Sequence, residues 1–236
     1  MASTEGNPAM EDHNVSPFNA IPPVVIALAV VIGGLELLFQ AAGAGFLGGQ
    51  GGIGWRIAAV QDYAVVDQVA DWMWENQSFP PEQMLRFLTY PLIHGGFAHA
   101  AFVVVFILAI GKMVAEVFSP MAFVAVFWLS AIGGALVYVT ALDSAYPLIG
   151  GYPGVYGLIG AFTFLMWVDL GHRGSSRARA FVLIGALLGI QILFGAIQGE
   201  FGNVVADLSG FITGFVLSFV VSPGGWRRVL ARLRQR

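Results

Sequence analysis

Six apolar segments, near 22–42, 98–117, 120–141, 152–170, 180–198 and 204–222, constrain this chain more than any other feature. Each is about the length an α-helix needs to cross a hydrocarbon core. No water reaches backbone N–H and C=O groups there, so spanning segments close their hydrogen bonds internally, as helices. The rest of the sequence agrees, since only 11% of its 236 residues are charged against about 25% in a typical soluble domain. The expected fold is an all-α integral membrane protein, a six-helix bundle with one long loop. There is no cysteine, which excludes a disulfide, a thiolate metal site and a thiol nucleophile.

The flanks set the expected domain plan and orientation. Residues 1–21 are polar and slightly acidic and read as a disordered tail. No Lys or Arg precedes the first apolar run, so a cleaved signal peptide is not expected. Residues 22–222 form the membrane domain. Basic residues gather in the tail 223–236 (Arg227, Arg228, Arg232, Arg234, Arg236), between the fourth and fifth segments (Arg173, Arg177, Arg179) and at Lys112. Basic loops face the cytoplasm, so both termini are expected there, and the loop 43–97 outside, with a bacterial inner membrane as the setting. The basic tail reads as an anchor beside anionic lipid; nothing points to nucleic acid. The loop's Trp72, Trp74 and Phe79 suit a membrane interface, as a pair of short amphipathic helices on the outer leaflet.

Polar groups within spans mark sites by default. With this orientation the second, fourth and sixth segments all run inward. Their first turns, at one depth, carry His99, Tyr152 and Asp207. His94 and His99 are five residues apart, so one straight helix does not present both to a metal, and no second carboxylate completes a site; no metal or cofactor is expected. Glu36, well inside the first segment, is either interfacial or a contact for a partner helix. The stretch Gly150–Phe162 has a glycine at every third or fourth place. Glycine weakens helices; in a membrane its use is close backbone approach. This marks the fourth segment as a central helix hemmed in by others.

These landmarks, in order over residues 82–216, resemble the rhomboid intramembrane serine protease family. Leu85-Arg86 stands where that family has Trp-Arg, His94 and His99 match its histidine spacing, Gly157 and Gly160 match its fourth helix, and Gly210 and Gly214 match its last. The resemblance implies a Ser–His dyad, with the Ser in a G-x-S-G turn opening the fourth helix. Here the Ser position holds Tyr152, or Pro153 in a register shifted by one that restores Gly151 and Gly154. The dyad His position, three before the glycine pair, is Asp207, and the oxyanion Asn, four after the second histidine, is Val103. Attack on a peptide carbonyl needs an activated nucleophile and a base in hydrogen-bond reach. Losing either member costs about a million-fold in a serine protease. A phenol with an ordinary pKa of about 10 beside a carboxylate does not replace that pair.

The resemblance therefore implies a rhomboid-like pseudoprotease whose former site forms a cavity around His94, His99, Val103, Tyr152, Pro153, Tyr156 and Asp207. Tyr152 is expected to plug it, with its hydroxyl on Asp207 or His99, or to touch a client. Asp207 either caps the sixth helix or bonds to Tyr152 or His99. Arg86 is expected to anchor the long loop through backbone carbonyls, and Gly154, Gly157, Gly160, Gly210 and Gly214 to mediate helix packing. The expected partners are membrane lipids and the transmembrane helices of client proteins, in an adaptor or quality-control role. The alternatives are an accessory subunit of a larger membrane complex, or an active protease built on another serine such as Ser119, Ser130, Ser144 or Ser209.

Overall fold

The computed structural model describes residues 20–198 and 201–225. Most of the N-terminal tail and of the basic C-terminal tail lies outside them. Helix α1 (Pro23–Gly43) opens on a proline at its first position, where the missing N–H costs nothing. The long loop follows, with a single helical turn at Gly49–Gly52 and then three short helices, α2 (Trp55–Tyr63), α3 (Asp67–Glu75) and α4 (Pro81–Thr89). Next come α5 (Phe97–Ala115), α6 (Pro120–Ala141), α7 (Tyr152–His172), α8 (Val182–Gln198) and α9 (Gly202–Val221). Among the described residues there is no strand, only an isolated antiparallel bridge between Val65 and Leu148.

The long helices start and stop within two residues of the apolar segments read from sequence. Five of them, α1, α5, α6, α7 and α9, are long and apolar enough to cross a membrane. α8, the expected fifth span, has 17 residues. The loop differs from expectation by carrying three short helices rather than two. Trp72, Trp74 and Phe79 stay exposed.

α7 is the central helix. Residues Pro153 to Ala161 are buried without a break, because glycines let its neighbours come within backbone distance. A Cβ on Gly210 of α9 would collide with the Pro153 carbonyl, one on Gly214 with the Gly157 carbonyl, and one on Gly160 with the Phe211 carbonyl. On the other side Gly154 lies under the Phe127 ring and Gly157 against Ser130, both of α6. All five packing glycines thus lie where α7 meets α6 or α9.

The loop is tied to this core by polar contacts. The Tyr90 hydroxyl, fully buried, donates to the Ala131 carbonyl at 2.6 Å. The Ser144 N–H donates to the Asp67 carboxylate, and within the loop Arg86 donates from Nη1 to the Gln61 and Ala64 carbonyls, 2.9 Å each. Glu36 is neither interfacial nor left for a partner helix. It is 3% exposed and forms a two-pronged ion pair with Arg56 of α2, both contacts 2.8 Å.

Candidate functional site

The N-terminal ends of α5, α7 and α9, together with α8 and the α6–α7 connection, enclose a cavity of about 480 Å³. His99, Tyr152, Pro153 and Asp207 line it, with Gln191, Asn203, Leu148 and Ile149. The remaining three residues expected around it sit behind that lining. Val103 is fully buried against Gly151, Tyr156 belongs to the apolar core, and His94 is buried edge-on against His99.

The support behind the lining is built by the loop. The Gly151 N–H donates to His94 Nε2 at 3.3 Å, so that nitrogen carries a lone pair. Burial, with His99 beside it, pulls the His94 imidazole from its ordinary 6.5 down to about 4, and it is neutral at physiological pH. The His94 carbonyl accepts from Arg56 Nη1, which the buried Glu36 holds in place. Glu36, Arg56, His94 and Gly151 thus form one chain of polar contacts from α1 to the start of α7. Gly150 fits beside it with φ +94°, where a side chain is strained, and a Cβ there would run into the His99 imidazole.

The walls carry the groups of interest. The His99 and Tyr152 rings stack, with centroids 5.2 Å apart and planes 17° apart, and His94 meets His99 edge-on at 5.0 Å. Tyr152 is half-buried, and it engages His99 by its ring face rather than through the expected hydroxyl bond. Asp207 is no cap: α9 begins at Gly202 after Phe201, and Asp207 is the sixth residue of that helix. It is 2% exposed, and its Oδ2 accepts from Gln191 Nε2 at 2.6 Å. The described partner of Asp207 is thus an amide on α8, not Tyr152 or His99.

Gln191 and Asn203 were not identified from sequence as cavity residues. An amide in the middle of an apolar segment is the signal for Gln191; Asn203, at a helix start, looks like an ordinary helix-end residue. Among the described residues no set of three or more His, Asp or Glu side chains is placed to hold a metal ion. Three of the four serines Ser119, Ser130, Ser144 and Ser209 are hydrogen-bonded, and the Ser130 hydroxyl is buried without a hydrogen-bond partner. Ser119 caps α6 through the Ala122 N–H, Ser130 is fully buried against Gly157, Ser144 accepts from the Tyr138 hydroxyl, and Ser209 donates to the Val205 carbonyl.

A Rhomboid domain family model matches residues 81–224, from the start of α4 to just past α9. The chain belongs to the rhomboid family. No curated protein matches it. The matched region holds the whole cavity, whereas α1 and Arg56, which hold His94, lie before it. On this rhomboid scaffold the close-packed glycines of α7 and α9 are in place, while the cavity between those helices presents a phenol, a carboxylate and two amides.

Proposed function

We propose that this rhomboid is a pseudoprotease that binds transmembrane segments of client membrane proteins, as an adaptor or in quality control. The observation that carries this reading is the cavity's lining. A rhomboid dyad joins a Ser at the start of the fourth core helix to a His on the last; here Tyr152, or Pro153 in the register shifted by one, and Asp207 stand at those positions. Tyr152 stacks on His99 and Asp207 accepts from Gln191, so neither is paired as nucleophile and base. A single carboxylate also falls short of the two that share a proton in aspartic proteases. What supports binding is the retained packing of α6, α7 and α9, together with a cavity of side-chain size at the end of the bundle. Both termini are placed in the cytoplasm and α8 is the fifth of six spans in this reading.

The test is capture from native membranes solubilised in mild detergent, with the full chain as bait. The expected result is a set of substoichiometric membrane proteins recovered intact. Recovery of no specific membrane protein contradicts client binding, and recovery of one partner at fixed ratio identifies a subunit of a complex instead.

A further inference from the structure

Among the described residues the cavity offers acceptors, and no Lys or Arg lines it. Asp207 is 2% exposed, with one oxygen taken by the Gln191 amide N–H. The other end of that amide, Gln191 Oε1, is buried and meets no hydrogen-bond donor. Among the described residues the ion pairs join Arg56 to Glu36, Lys112 to Glu116 and Arg173 to Asp169, so none neutralises Asp207. The Asn203 amide oxygen and Tyr152 hydroxyl add acceptors to the same walls. A carboxylate at membrane depth is costly unless a cation or a proton meets it. The complement of several acceptors around one carboxylate is a group made only of donors with a positive charge, an ammonium or a guanidinium.

We infer that the cavity receives the basic side chain, Lys or Arg, of a client's transmembrane segment. This rests on the client-binding reading and names the feature such a client presents. Depth favours a protein side chain over the ammonium of a lipid headgroup. Asp207 lies five residues into α9 from Gly202, about 7–8 Å below the helix end at 1.5 Å per residue. A lipid amine is confined to the headgroup level above. The apolar stem of a Lys or Arg is long enough to carry its charge across that interval while packing against apolar walls such as Leu148, Ile149 and Pro153.

The test uses the full chain in phosphatidylcholine nanodiscs and fluorescent single-span peptides of about 20 apolar residues. They carry Lys, Gln or Leu at one position, one to two turns from the extracytoplasmic end. The Lys peptide is expected to bind about tenfold or more tighter than the Gln peptide, the scale of a charge-assisted hydrogen bond. Asp207→Asn keeps an acceptor for Gln191 and is expected to level the three affinities. Equal affinity of the Lys and Gln peptides for the unaltered chain overturns the inference without need of any variant. So does a Lys preference that survives Asp207→Asn. Erasure of the preference by phosphatidylethanolamine in the disc assigns the site to a lipid amine and also overturns it. If all three peptides bind alike, client binding stands and the basic-residue requirement falls. If none binds, the requirement falls alone where native-membrane capture succeeds, and with the client reading where capture is empty.

Discussion

His94 joins the loop to the start of α7 only while its Nε2 is unprotonated, because that atom accepts the Gly151 N–H. The groups around it are His99, Glu36 and Arg56. Its imidazole titrates near 6.5 when unfolded and about 4 when folded, so the unfolded chain takes up the proton first as pH falls. The stabilisation is complete above about pH 6.5 and is lost on descending toward pH 4, reaching about 3 kcal/mol. Thermal unfolding in detergent between pH 7 and 4 is expected to follow that fall, and His94→Gln, which keeps an acceptor, to flatten it. Glu36 poses a harsher demand. Arg56→Met leaves a buried carboxylate without its cation and is expected to cost about 3–5 kcal/mol, with most recovered in the Glu36→Gln, Arg56→Met double variant. A thermal-stability cycle over the two single variants and the double reads this coupling; additive losses contradict it. Neither residue's role was legible in the sequence, since 20 positions separate them and neither has a pattern that predicts the other. Tyr152, His99 and Asp207 were legible as a group because helix direction puts their turns at one depth. Their pairing was not, because the choice of Gln191 as the partner of Asp207 depends on how α8 docks.

At the scale of elements, the contact of α7 with α9 rests on glycine. Gly210→Leu sets a side chain against the Pro153 backbone, which cannot rotate aside as a side chain does. The helices must part, and a loss of about 1–3 kcal/mol or more is expected, read as a fall in thermal midpoint in detergent; an unchanged midpoint contradicts this packing. Gly43, further from the core, meets nothing within 4 Å of a Cβ, and Gly43→Ala is the control expected to leave the midpoint unchanged. The helices themselves were the most legible part of the fold, because spanning a bilayer fixes both their length and their apolar character. The loop was less so. Its short helices α2, α3 and α4 gain order from Arg86, Asp67 and Tyr90, each bonded to backbone more than 20 residues away, and no local pattern announces such contacts.

For the whole molecule, rhomboid membership and the lining of the cavity support the proposed reading, a scaffold that holds membrane segments without cutting them. The glycines of α7 and α9 made the family legible in the sequence. The most direct test of that account is the intact mass of a captured client, reconstituted with the full chain in liposomes and followed over hours. The account predicts a client that stays bound at its full mass. A client cleaved within its transmembrane segment, in liposomes holding only these two proteins, would contradict it.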